Sequence, residues 1–320
     1  MSTSFFALVE ERIQQVEERM RAHPNGQHPD IDLVLEHLVS SGGKRVRPAV
    51  VLLTGGMLGG DQDRLIILAA AIELLHTATL VHDDLIDGAL LRRGIPTLNT
   101  QWSSAATVLA GDYVFARSAG LAADIGAVDV MQIFATTLTT IVSGEITQLF
   151  TSRGSINRED YYQRINAKTA SLFEAAARTA AMISTDDKDI IAAMQGFGYG
   201  IGMAFQIVDD ILDFTGDQAT VGKPVASDLR QGLITLPTIY YQESCPDDAD
   251  TQAVLGGEYH DEERITRLIT SICSSGAIQQ SMAEARGFVR RGIQAAENLP
   301  ACPEHKALNE LAEYIVDRKV

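Results

Sequence analysis

Apolar residues return at three- and four-residue spacing along nearly the whole chain, while alternating β-branched runs are almost absent, so the pattern predicts helices throughout. Phe5, Phe6, Val9, Ile13, Val16 and Met20 form one such stripe, and His23-Pro24-Asn25-Gly26 breaks it. Further helices are predicted over 31–40, 46–58, 63–87, 101–125, 128–150, 158–183, 186–213, 233–242, 261–274, 277–298 and 304–318. Those between Asp63 and Asp213 are long, partly Ala-rich and apolar on more than one face, as the inner layer of a bundle requires. The helices toward both ends carry more charge. No Ser/Gly/Pro linker divides the chain, the weakest stretch being the acidic 246–260, and no solenoid repeat is present. One all-α domain over 1–320 is the expectation.

Composition narrows the partners. The 320 residues are 46% hydrophobic and 21% charged, a globular balance that excludes disorder. Against 26 basic residues stand 42 acidic ones, a net charge of −16, so there is no global positive field for a nucleic acid or an anionic membrane. An anionic ligand must therefore be held by local cations or by metal ions. Three cysteines, Cys245, Cys273 and Cys302, argue for a reducing, cytoplasmic compartment. The N-terminus lacks the apolar run and cleavage site of a secretory signal. The most apolar stretch, 65–81, is interrupted by Glu73 and His76 and falls short of the roughly 20 residues that span a bilayer, so no transmembrane segment is expected.

Two acidic clusters carry the chemistry: His82-Asp83-Asp84-Leu85-Ile86-Asp87, and Asp209-Asp210-Ile211-Leu212-Asp213 followed by Asp217. In each, the first and last aspartates are neighbours on one helix face, where like charges are destabilising. Both clusters also end a strongly apolar helix, against the negative end of its macrodipole. A divalent cation would offset both penalties, and hard oxygen donors suit Mg²⁺, which bridges carboxylates to substrate phosphates. A solvated acidic helix end explains one such cluster well and two of them poorly. If the two helices face one another, the clusters make a cage for more than one metal.

Cations stand nearby in sequence. Gly42-Gly43-Lys44-Arg45-Val46-Arg47-Pro48 puts Lys44 and Arg47 at a helix start, where free N–H groups also favour an anion. Arg92-Arg93-Gly94 follows the first cluster, Gly222-Lys223-Pro224 follows the second, and Lys168-Thr169 opens another apolar helix. Any one of these is ordinarily a surface charge; together, in an acidic protein, they indicate two anion sites, one metal-assisted and one direct. The alternating glycines from Gly196 to Gly202 follow no predicted strand, so they read as close helix packing and not as a dinucleotide loop. Neither a nucleophile elbow nor a phosphate-binding Walker sequence is present, and His23, His28, His37, His260 and His305 lack metal-ligand spacing.

In this order GGKRVRP, HDDLID…LRRG, KTASLF and FQIVDDILDFTGD…GKP resemble the trans-isoprenyl diphosphate synthase, or polyprenyl synthase, family over about 34–241, most closely its medium- and long-chain members. Gly88-Ala89-Leu90 departs from relatives that carry further acids there. The resemblance implies an all-α, single-domain helical bundle of the isoprenoid synthase type with a central active-site cavity. It also implies Mg²⁺-assisted condensation of an allylic diphosphate with isopentenyl diphosphate, through ionisation, carbon attack and proton loss to the released diphosphate. A homodimer is the implied assembly.

Carried over by motif, Asp83, Asp87 and Asp209 are the main metal ligands, and Asp84, Asp210 and Asp213 assist directly or through water. Arg92 and Lys223 stabilise the departing diphosphate; Lys168, Thr169 and Gln206 face the allylic cation; Lys44, Arg47, His76 and Arg93 grip isopentenyl diphosphate. Ala78 and Thr79 are small where short-chain relatives carry an aromatic residue, so the product pocket is expected to continue toward Leu75, Ile72 and Ala71 and the product to reach C30 or longer. The alternative products are geranylgeranyl or farnesyl diphosphate. A class I terpene cyclase fits less well, because its second metal motif mixes Asn/Asp, Ser/Thr and Glu. A catalytically silent subunit of a heteromeric synthase is the non-enzymatic alternative; a calcium-binding structural protein would need an EF-hand loop, which is missing.

Overall fold

The structure is a computed structural model that describes residues 4–22, 29–151, 157–216 and 225–318. Its helices are α1 (Glu10–Arg21), α2 (Pro29–Ser40), α3 (Val46–Met57), α4 (Gln62–Ile86), α5 (Ser104–Asp124), α6 (Val128–Thr151), α7 (Arg158–Ile165), α8 (Ser171–Met182), α9 (Lys188–Thr215), α10 (Leu236–Ser244), α11 (Ala249–Leu255), α12 (Glu262–Ser274), α13 (Ala277–Ala295) and α14 (Pro303–Asp317). Single turns lie at Ser4–Ala7, Leu98–Gln101 and Ser227–Arg230. Among the described residues the β-structure is one hairpin, β1 (Leu91–Arg92) and β2 (Ile95–Pro96). The all-α expectation holds.

Several boundaries have visible causes. Asp61, Ser103 and Asn157 accept hydrogen bonds from the first free N–H groups of α4, α5 and α7, which sets where those helices begin. The Ser103 cap, after extended Trp102, also explains why α5 starts later than the predicted 101. The helix predicted over 158–183 is interrupted by a π turn at Asn166–Ala170. The stretch 246–260, read from sequence as the weakest point, contains α11, whose cap Asp248 accepts from the Thr251 N–H at 2.8 Å and hydroxyl at 2.7 Å.

The contacts group into two compact units, each assembled from segments far apart in sequence: 1–138, 172–195 and 298–311 in one, 139–171, 196–297 and 312–320 in the other. In the first unit α4 is the central helix, packed against α1, α3 and α5. Leu65, Ala69, Ala70, Ala71, Leu74, Leu75 and Ala78 of α4 are fully buried, which is why its apolar positions run all round the helix. In the second unit α10 packs on α7, α12 and α13. A Cβ at Gly200 would lie 2.8 Å from the Phe288 carbonyl oxygen and 3.0 Å from Gly292 Cα, so the glycine run does serve close packing of α9 on α13.

Both α4 and α9 are long and apolar enough, by length and composition, to cross a membrane. Helix α4 carries Glu73 inside the protein, paired with Arg45 at 3.1 Å. Two-thirds of its apolar window (67%) is buried within the protein, which accounts for the composition without a bilayer.

Candidate active site

In the first unit, Asp83 and Asp84 lie in the last turn of α4 and Asp87 is its C-cap. They face differently: Asp83 is half-buried, Asp87 exposed, and Asp84 only 7% exposed. The β1–β2 hairpin turns on Arg93 and Gly94, both at positive φ (54° and 77°), the conformation of a two-residue turn that follows strand twist. That reversal brings Arg92 back onto Asp84. The Thr97 hydroxyl and the Asn99 amide then donate to the Ala89 carbonyl at 2.7 and 3.0 Å, tying the hairpin to the end of α4.

A cleft in the same unit is lined by Gly42, Arg45, His76, Asp84, Arg92 and Arg93, with apolar walls from Leu80, Val81 and Leu98. Arg93 donates to the Gly42 carbonyl, joining the hairpin to the glycine loop. Burial first, and then the charges of Arg47, Arg93, Arg92 and Arg45, hold the His76 imidazole well below its ordinary pKa. His76 is thus a neutral hydrogen-bonding group among cations.

The glycine-loop cations do not act alike. Lys44 is exposed, whereas Arg47 is buried with its guanidinium carbon 4.5 Å from the Phe173 ring centroid. Neither lines the cleft, which gathers His76, Arg92 and Arg93 of the expected set. Arg45, which the sequence did not single out, does line it. At φ 44° it caps α3, and its guanidinium donates to Glu17 Oε1 at 2.8 Å, Glu73 Oε1 at 3.1 Å and the Val39 carbonyl at 2.8 Å. These bonds pin the loop that carries Lys44.

The second unit holds the other cluster near the end of α9. Asp209 pairs with Arg318 at 2.7 Å. Asp213 accepts from the Ser227 N–H and hydroxyl and the Asp228 N–H at 3.1, 2.9 and 3.2 Å. Asp210 faces inward, accepting from the Tyr161 hydroxyl at 2.7 Å and the Gln206 amide at 2.8 Å; burial, then the charge of Asp228, push its carboxyl well above the usual range. Asp84 and Asp210, expected to assist directly or through water, are each buried with both oxygens engaged by protein donors. Among the described residues no three His, Cys, Asp or Glu side chains are gathered as a metal-binding group.

The π turn presents Lys168 and Thr169, with Lys168 paired to Glu145 at 2.8 Å and the Thr169 hydroxyl donating to Gln206 Oε1 at 2.6 Å. Lys223 and Asp217 lie outside the described residues. Tyr161, Arg318 and Glu145 complete this side, and none belongs to a motif visible in the sequence.

Thr79 and Ala78 separate as well. Thr79, Leu75, Ile72 and Leu68 are spaced four, three and four residues apart and so share one face of α4. Leu75, Ile72 and Leu68 line an apolar cavity with Phe134, Thr137, Leu172, Ala175 and Thr179. Of the expected path, Leu75 and Ile72 line this cavity, whereas Ala78 and Ala71 are fully buried and line neither cavity.

Comparison with known proteins places the chain. The Polyprenyl synthetase family profile matches residues 28–272. Heptaprenyl diphosphate synthase component 2 of Geobacillus stearothermophilus is 35% identical over 316 residues, 98% of each chain. Geranylgeranyl diphosphate synthase of Saccharolobus solfataricus is 33% identical over 295 residues, 88% of this chain and 89% of that one. The crystal structure of a polyprenyl synthase from Caulobacter crescentus, complexed with calcium and isoprenyl diphosphate, superposes with a TM-score of 0.90 at 33% identity, covering 99% of this chain and 97% of that one. Helix order, paired aspartate clusters and these matches define a prenyltransferase. The chain belongs to the polyprenyl synthetase family.

Proposed function

We propose that the chain joins an allylic diphosphate to isopentenyl diphosphate and repeats the step to a polyprenyl diphosphate of C30 or longer. The observation that carries this reading is the cleft where Arg92, Arg93 and neutral His76 stand beside the Asp83–Asp87 cluster in a protein of net charge −16. Cations and carboxylates side by side suit a diphosphate held partly by side chains and partly through metal.

Asp83 and Asp87 in the first unit, and Asp209 in the second, each offer carboxylate oxygens, the kind of donor that fits Mg²⁺. When bound there, Mg²⁺ would neutralise charge on the leaving diphosphate. The protein's own groups do the rest. Arg92 and Lys223 bind that diphosphate as the allylic C–O bond breaks and its electron pair leaves with oxygen. Lys168, Thr169 and Gln206 face the cationic carbon. Lys44, Arg47, His76 and Arg93 hold isopentenyl diphosphate, whose double bond attacks that carbon, and the proton then leaves to the released diphosphate.

Identity alone does not fix product length, because the two relatives above make different products at 35% and 33%. The small side chain of Thr79, at the head of the face formed by Leu75, Ile72 and Leu68, supports the longer one. Three free cysteines support a cytoplasmic setting. Val142, Ile146 and Leu149, an exposed apolar stripe on α6, support a homodimer. A second reading comes from the Geobacillus relative, which is one component of an enzyme: this chain would then need a partner chain for activity. Turnover by the purified chain alone, with products sized by chromatography, separates the two readings.

A further inference from the structure

A one-way chain of hydrogen bonds runs through the second unit. The Tyr161 hydroxyl donates to Asp210 Oδ2 at 2.7 Å; Gln206 Nε2 donates to Asp210 Oδ1 at 2.8 Å; the Thr169 hydroxyl donates to Gln206 Oε1 at 2.6 Å. Tyr161 is 1% exposed on α7, so its phenol reaches no solvent. Each link fixes the sense of the next. Asp210 takes a donor on each oxygen, and Gln206 sets its NH₂ toward Asp210 and its oxygen toward Thr169. Thr169 then spends its proton on Gln206, and its remaining lone pairs are the part of the hydroxyl left for an electron-poor neighbour.

We propose that Tyr161 is a positioning residue for the allylic cation: by holding Asp210 it fixes Gln206 and so keeps the oxygen lone pairs, not the proton, of Thr169 turned toward the reacting carbon. Without the phenol, Asp210 can rotate and Gln206 can flip. Thr169 would then accept from the amide and aim its O–H dipole with the wrong sign at developing positive charge. Asp210 acts here through Gln206 and needs no contact with substrate or metal. The inference rests on the reading that this chain ionises an allylic diphosphate.

The test is Tyr161→Phe, which keeps the ring and removes one hydroxyl. Two allylic diphosphate analogues are titrated by calorimetry in Mg²⁺, one with an ammonium nitrogen at the cationic position and one a neutral thiolo-diphosphate. The variant should bind the ammonium analogue about 10-fold more weakly, the scale of one lost buried hydrogen bond, and the neutral analogue as wild type does. Its kcat should fall by about the same factor with both KM values held. Equal weakening of both analogues, or of neither, overturns the proposal. Should Tyr161→Phe not fold, Asp210→Asn is measured against the same pair, and absence of the split there counts equally against it. Failure of the wild-type chain to form prenyl products would instead sink the function on which the proposal rests, while wild-type turnover without the split sinks the proposal alone.

Discussion

Arg92 reaches back eight residues to close on Asp84, its Nε 2.9 Å from each carboxylate oxygen and its Nη2 2.7 Å from one of them. The side chains are unequally exposed, 34% for Arg92 and 10% for Asp84, so losing the arginine strands a nearly buried carboxylate. Arg92→Gln should cost about 1–2 kcal/mol of stability, less than a fully buried pair because the guanidinium is partly solvated. Its turnover should fall on the order of 100-fold. Adding Asp84→Asn should restore most of the stability and none of the rate; denaturant melts and initial rates on the three variants check both, and near-normal turnover in Arg92→Gln would exclude Arg92 from the leaving-group site.

Lys44 and Arg47 should separate in the same pair of measurements. Both alanine variants should raise the KM for isopentenyl diphosphate. Only Arg47→Ala should also lower the melting temperature, because its guanidinium is buried over Phe173 whereas Lys44 is exposed. A rise confined to the allylic KM in Lys44→Ala would reverse the two anion assignments.

His76 makes stability depend on pH with a defined sign. Its folded pKa is depressed, so the native state refuses a proton that the unfolded chain accepts below about pH 6.5. Its contribution is complete above that pH and is lost as pH falls. Unfolding free energies at pH 7.5 and 5.5 should drop more steeply in wild type than in His76→Gln. Parallel slopes would mean that the imidazole takes up its proton equally in the folded and unfolded chain.

Product length should respond at both ends of one helical face. Thr79→Phe places a ring at the head of the stripe formed by Leu75, Ile72 and Leu68, and should shorten the product while leaving the first condensation intact. Phe134→Ala opens the wall facing that stripe and should lengthen it. An unchanged distribution in both variants would place the growing chain elsewhere.

Much of this was legible in the sequence because its causes are local. Helices α4 and α9 follow from their spacing of apolar residues, and the aspartate pairs follow from four-residue spacing at helix ends. What escaped depends on direction or distance. Arg45 looks like its neighbours in GGKRVRP, and only its left-handed backbone turns it inward to Glu17 and Glu73. Two-residue strands are too short to show a period, so the hairpin that aims Arg92 was invisible. Tyr161 meets Asp210 across 49 residues, beyond any spacing rule.

The most direct measurement is product sizing after incubating the purified chain alone with isopentenyl diphosphate, an allylic primer and Mg²⁺. Prenyl products of C30 or longer should form, and Asp83→Ala or Asp209→Ala should lower the rate on the order of 100-fold or more with the fold retained. No condensation by the chain alone, or undiminished condensation in both aspartate variants at saturating Mg²⁺, would contradict it.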